Sequence, residues 1–354
     1  MSHSPAPASL PWKHLDAWRG IAALTVLLHH GSQQFELFSA HSAGARVLEG
    51  AGRWAVGLFF ILSGLCIHWR LASSHEPLNR ATFLARRFLR IYPSLLICLL
   101  CFFLLQGRLD GNLLAPGSWR DLGMHLLLLS SFDVPSRVAI NNVVWSVVVE
   151  CHFYLLYAWL WPWFKDSAQL CRTLMLAMGL GALTYGISAW APPGDSRTLI
   201  QHTFAATWWT WCLGAWLAHV LAHRPAWTQR LPKSRIGAWL GIGLLCASLT
   251  LPLLPGSWGL QAQRFVMPWM HTAGLLLLLL GATRLNVPGA LERLGAWSYS
   301  LYLWHPLGIA MAATALLDKP WLALGVSVLA ALSMAALGYR WIEAPGMRRA
   351  RKLA

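Results

Sequence analysis

Residues 86–107 read RRFLRIYPSLLICLLCFFLLQG. Three arginines within five positions open the stretch, and no charge follows from Ile91 to Leu105. About 20 mostly apolar residues, at 1.5 Å rise each, cross about 30 Å of hydrocarbon. The run predicts a membrane-spanning helix with a basic, water-facing end at Arg86, Arg87 and Arg90. Working outward, nine more apolar stretches of similar length follow the same rule, at 17–37, 54–71, 142–164, 170–190, 202–222, 236–254, 265–283, 296–317 and 321–342. Breakers stand where loops are needed, at Pro116-Gly117, Pro192-Pro193-Gly194, Pro255-Gly256, Pro288-Gly289 and Pro320. The weaker run at 122–132 is too short to cross and reads as re-entrant or interfacial.

Composition agrees. Of 354 residues, 56% are hydrophobic and 12% charged, about half the charge of a soluble domain. That excludes soluble, disordered and collagen-like chains. The net charge of +15 would suggest nucleic acid in a soluble protein; here it anchors loops to an anionic leaflet, and no nucleic-acid partner is expected. With the N-terminus placed in the cytoplasm, 20 of the 28 Lys and Arg fall on the inner side, and promoting 122–132 to a full span would destroy that bias. The expectation is an all-α, polytopic transmembrane bundle of about ten spans with both termini cytoplasmic. Residues 1–14 form an N-terminal tail, 15–346 the membrane domain and 347–354 a basic C-terminal tail. Trp12, Trp54, Trp69, Trp119, Trp163, Trp190, Trp258 and Trp321 fall near predicted interfaces, where an amphipathic ring is favoured. The seven cysteines lie in or beside apolar runs and indicate no disulfide framework.

Ionisable groups inside such spans are costly and face a polar cavity or a partner. In the first span Arg19 and His30 are 11 residues apart, which is about 20° from alignment and about 16 Å along the axis. They share a face. Arg87 and Arg90, three apart, suit either a phosphate-rich ligand or plain anchoring. In the fourth span Ser146, Glu150 and Tyr154 form a stripe at i, i+4, i+8. Glu150 has no basic neighbour in its own helix, so it is expected to find a donor on another helix, to be protonated, or to line water. His152 points elsewhere and reads as a packing partner. Ser298, Tyr302 and His305 share a face of the ninth span, and Pro306 frees the carbonyl of Tyr302 beside the imidazole. Glu343 stands near Arg340, either as a surface ion pair or as part of a site. His219 and His223 make a two-ligand HxxxH, too little for a metal, and none is expected.

Taken in order, LDAWRGIAALTVLLHH (15–30), GLFFILSG (57–64), RRFLRIYP (86–93), VVWSVVVECHFYLLY (143–157), SYSLYLWHP (298–306) and RWIEAP (340–345) resemble motifs of the acyltransferase-3 family of integral-membrane O-acyltransferases. The resemblance implies transfer of an acyl group, most often acetyl, from cytoplasmic acyl-CoA to a hydroxyl of a cell-envelope or exported carbohydrate or glycolipid. It implies residence in the bacterial inner membrane and a stand-alone transferase without an outer hydrolase-like domain. Carried over, His30 is the catalytic histidine and Arg19 its motif partner. Arg87 and Arg90 take the phosphates of the coenzyme, while Glu150, His305 and Glu343 match further functional positions. The chain departs from the family's pattern at Cys151-His152 and at Pro306. The direct mechanism has His30 as general base, and it expects one continuous tunnel from the arginines to the imidazole. The rival reading is a proton-coupled secondary transporter using Glu150 and His30, which repeat symmetry would have favoured and the sequence lacks.

Overall fold

A computed structural model describes residues 11–39, 42–72, 77–109, 116–281 and 285–353. The first ten residues of the expected N-terminal tail, Arg284, and the end of the span placed at 265–283 lie outside the described residues. The helices in chain order are α1 (Trp12–Gln34), α2 (Ala43–Ala72), α3 (Arg80–Leu109), α4 (Pro116–Leu126), α5 (Val134–Val138), α6 (Trp145–Trp159), α7 (Ser167–Trp190), α8 (Asp195–Gln201), α9 (Phe204–His223), α10 (Arg235–Ala247), α11 (Trp258–Gln261), α12 (Met267–Gly281), α13 (Gly289–Ala296), α14 (Ser298–Leu316), α15 (Pro320–Gly338) and α16 (Ala344–Arg351). No strand occurs among the described residues.

Over the described residues each expected span overlaps helix. By length and composition, six helical stretches among the described residues can cross a membrane: Ala43–Ala72, Arg80–Gln106, Ser167–Trp190, Arg235–Leu253, Trp258–Gly281 and Pro320–Arg351. The chain is a multi-pass membrane protein. The other four expected spans, α1, α6, α9 and α14, fall outside that set. α6 is only 15 residues long. The other three interrupt their apolar runs with charged residues, His, Ser, Tyr or Trp.

The helices divide into two compact units. The first comprises Met1–Pro77, Lys165–Cys171 and Thr210–Ser298. Its helices cross where both partners lack a side chain. A Cβ on Gly64 of α2 would stand 2.1 Å from the Trp211 carbonyl oxygen, and one on Gly214 of α9 2.0 Å from that of Ile61. Gly241 and Gly274 do the same for α10 and α12, as do Gly20 and Gly295 for α1 and α13. Between helices in a bilayer, where the lipid is as apolar as leucine, such close approach is what holds packing together. The core here includes Leu15, Leu27, Leu58, Ile61, Trp54 and Trp211.

Two of the interfacial tryptophans are corrected. Trp54 and Trp69 are buried, with 2% and 8% of their surface exposed. α2 begins at Ala43, so Trp54 lies three turns inside the helix rather than at its mouth. Its indole donates to the Leu245 carbonyl (3.1 Å) and the Ser248 hydroxyl (2.9 Å). Trp12, Trp119, Trp163, Trp190, Trp258 and Trp321 are exposed, as ring anchors at a lipid boundary are.

The second unit comprises Leu78–Phe164, Arg172–Trp209 and Tyr299–Ala354. The run at 122–132 does not cross. α4 ends at Leu126, and Ser130–Phe132 forms a single 3-10 turn. Leu128 takes a left-handed backbone (φ 60°) and its carbonyl accepts from His152 Nε2 (2.9 Å). The His152 ring also stacks on Phe132, the packing role expected of it. Asp133 then caps α5 through the Ser136 N–H (3.0 Å) and takes both guanidinium arms of Arg120 (2.7 and 3.0 Å).

The Arg120 hydrogen bonds, followed by that from Ser136, hold the Asp133 carboxyl well below the usual carboxylate range. A depressed folded value contributes stability that is complete above the unfolded value of about 3.9 and is lost as pH falls towards the folded one. Hydrogen exchange across α5 is therefore expected to be faster in Asp133→Ala than in the wild type at pH 7. The difference should persist to about pH 4 and close only in stronger acid. Equal exchange at pH 7 would remove Asp133 as the clasp.

Candidate active site

In the first unit the chemistry gathers on α1. A helix with few charges keeps Arg19 in its second turn and His30 in its last third. Arg19 lies 3.7 Å from the carboxylate of Asp16, one turn earlier. His30 is half-buried and its ring centroid lies 4.7 Å from that of His29. His29 is fixed more firmly. Its Nδ1 lies 2.7 Å from the Leu48 carbonyl oxygen, which only accepts, so Nδ1 carries the hydrogen. The same ring fills the space over Gly52, where a Cβ would come within 2.7 Å of Cδ2. α2 thus seats His29 through a glycine and a backbone oxygen, and His30 meets that ring on α1 itself.

In the second unit α3, α6 and α14 supply a polar seam. The Arg87 guanidinium lies 5.7 Å from the Phe83 ring and 6.0 Å from the Tyr154 ring, the range in which a cation is drawn to an aromatic face. The Tyr154 hydroxyl donates to Glu150 Oε1 at 2.5 Å. This donor to Glu150 thus comes from its own helix, four residues on along the expected stripe, rather than from another helix, one of the three alternatives. A tyrosine at i+4 brings its hydroxyl back along the same face. Arg87 and Glu150 are joined through Tyr154, while Arg90 sits half-buried one turn further along α3.

Ser146 lies 2.7 Å from the Tyr302 hydroxyl, which donates in turn to the Val143 carbonyl (3.0 Å). This ties the α6 stripe to the α14 face. α14 runs unbroken through Pro306. The carbonyl of Tyr302 that Pro306 leaves without its helical donor is met by His305 Nδ1 at 2.9 Å. That nitrogen therefore carries the hydrogen, and the imidazole is fully buried. Glu343 is also buried, 3% exposed, and accepts from the Ser300 hydroxyl (3.0 Å). It belongs to the interior, whereas the Arg340 guanidinium lies over the ring of its neighbour Trp341 (5.5 Å). Of the seven residues singled out by sequence, Arg19 and His30 fall in the first unit and Arg87, Arg90, Glu150, His305 and Glu343 in the second.

His219 Nε2 lies 2.7 Å from the Ser167 hydroxyl and its ring stacks on His223. No group of three metal-ligating side chains occurs among the described residues. All seven cysteines are free thiols.

The acyltransferase domain that defines the acyltransferase-3 family matches residues 12–340. Among curated proteins, acyltransferase MdmB of Streptomyces mycarofaciens is 28% identical over 323 residues, covering 82% of this chain and 77% of that protein. The exopolysaccharide production protein ExoZ of Rhizobium meliloti is 26% identical over 335 residues, covering 88% and 94%. The peptidoglycan O-acetyltransferase OatA of Listeria monocytogenes is 24% identical over 378 residues, covering 94% of this chain but only 55% of OatA. No solved structure gives a significant match. The chain belongs to the acyltransferase-3 family and is a membrane acyltransferase.

Proposed function

We propose that the protein takes an acyl group, most often acetyl, from cytoplasmic acyl-CoA and transfers it to a hydroxyl of an envelope or exported carbohydrate or glycolipid, working from the bacterial inner membrane with ten spans and both termini inside. The observation that carries this reading is His30, a half-buried imidazole lying against the firmly held ring of His29 in a chain of acyltransferase ancestry. ExoZ and OatA, one named for exopolysaccharide production and the other for peptidoglycan O-acetylation, support a carbohydrate acceptor.

In the proposed step neutral His30 removes the proton from the acceptor hydroxyl as its oxygen attacks the thioester carbonyl carbon. The C–O bond forms, the C–S bond breaks, and the coenzyme thiolate takes the proton back. A neutral imidazole has one ring nitrogen free to take a proton and return it, which both halves of that exchange require. Arg87 and Arg90 hold the donor phosphates, with Arg19 on the same face as His30. Glu150, held by Tyr154, orients His30 or the acceptor hydroxyl. His305, its Nδ1 committed to the Tyr302 carbonyl, takes part through Nε2. Glu343 supports the donor end through Ser300.

Purified protein incubated with radiolabelled acetyl-CoA and a panel of glycans is expected to yield labelled glycan. No label on any glycan, with the protein folded, would overturn the donor and acceptor assignments. Arg87→Ala is expected to raise KM for acyl-CoA about 10-fold or more, the loss of one charge-assisted hydrogen bond, with a smaller change in kcat. An unchanged KM in both Arg87→Ala and Arg90→Ala would return the pair to plain anchoring.

A further inference from the structure

α15, the π-helical turn Tyr339–Glu343 and α16 form one continuous helix of 32 residues. At 1.5 Å per residue it is about 48 Å long, against about 30 Å of hydrocarbon. Its apolar part ends at Gly338, so α16 projects beyond the lipid. α3, 30 residues long, is about 45 Å and projects likewise with its arginine-bearing first three turns. The two projecting ends meet. α16 packs on α3, and a Cβ on Gly346 would stand 2.4 Å from the Leu89 carbonyl oxygen. Both ends therefore lie on one side of the bilayer, and the contact falls between Arg87 and Arg90.

The stretch expected to be a basic tail is thus largely a docked helix. Gly346 and Ala350, four apart, are buried, while Arg348, Arg349 and Arg351 are exposed. Neither 80–109 nor 344–351 contains an acidic residue, and Glu343 is turned inward to Ser300. Anchoring to an anionic leaflet needs only charge, which a loose tail supplies. A backbone-to-backbone seat that brings one arginine-rich helix against another does more: it gathers guanidinium groups of two helices at one place.

We infer that α3 and α16 together form one phosphate-binding shelf, in which Arg348, Arg349 and Arg351 extend the set begun by Arg86, Arg87 and Arg90. Its ligand bears at least two phosphate groups or a phosphodiester, matched by guanidinium forks. The source is either the nucleotide end of a coenzyme or an anionic lipid headgroup. The first rests on the acyl-CoA reading above; the second does not.

The test uses the full-length protein in nanodiscs, comparing wild type with the R348Q/R349Q/R351Q variant and with its Lys-for-Arg counterpart. These side chains are exposed, so folding is preserved. In discs of phosphatidylcholine alone, coenzyme A binding is measured by calorimetry. In discs with and without phosphatidylglycerol, and no coenzyme, the thermal midpoint is measured. A loss of about 10-fold or more in coenzyme A affinity, partly restored by lysine, assigns the shelf to the coenzyme. A midpoint rise with phosphatidylglycerol that the Gln variant abolishes assigns it to lipid. Unchanged behaviour in both arms overturns the shelf. Wild-type protein that binds no coenzyme A overturns the donor reading alone, and the lipid arm then decides the shelf.

Discussion

His30→Ala is expected to abolish acyl transfer while the protein still reaches the membrane and purifies as folded material. A positioned base contributes about 10²–10⁴-fold to rate, and a methyl group offers no other route for the hydroxyl proton. The structural loss is small, because His30 is only half-buried and its neighbour His29 keeps the Leu48 bond that secures α1 to α2. Turnover of radiolabelled acetyl-CoA should fall by at least two orders of magnitude, with KM for the donor little changed. His30→Gln, close in size and unable to cycle a proton near neutral pH, should be as inactive as the alanine variant. Turnover near the wild-type rate in either variant would move the base elsewhere.

Gly64→Leu is expected to prevent folding, and Gly214→Leu likewise. At each glycine the obstruction is a backbone carbonyl of the facing helix, at 2.1 and 2.0 Å from the new Cβ. A side chain can rotate away; a carbonyl inside a helix moves only with the whole helix. Even Gly64→Ala should separate α2 from α9 and cost more than the 1–3 kcal/mol of ordinary overpacking. The matched control lies in α7. Gly179 and Gly186 have nothing within 4 Å of a built Cβ, so alanine there should leave the thermal midpoint unchanged or raise it slightly, since alanine favours helix by about 1 kcal/mol over glycine. Detergent-solubilised yield and size-exclusion profile distinguish the two pairs. A monodisperse Gly64→Leu protein would show that the α2–α9 crossing is not required.

Much of this was legible in the sequence, and the limit has a physical form. What one helix decides by itself could be read. Arg19 and His30 share a face because 11 residues close three turns, and the carbonyl that Pro306 frees beside His305 follows from the missing proline N–H. What depends on which faces meet could not. The Ser146–Tyr302 bond needs α6 and α14 side by side, and Gly64 reveals its purpose only opposite Gly214. Trp54 looked like a boundary ring because hydropathy does not report where a helix starts. Glu150 and Tyr154 share a stripe at i, i+4, but a shared face does not by itself say that the hydroxyl donates to the carboxylate. α1 and α14, whose apolar runs are broken by polar side chains, carry His30 and His305, while Glu150 sits on the short helix α6. The polar side chains that mark the chemistry also blur the membrane signal.

The brevity of α6 has its own consequence. Fifteen residues of helix measure about 22 Å, some 8 Å less than an average hydrocarbon slab. The 3-10 turn Trp161–Phe164 follows almost at once and, at about 2 Å per residue, restores the missing length. The helix that bears the carboxylate therefore matches such a slab only by tightening its coil beyond one end.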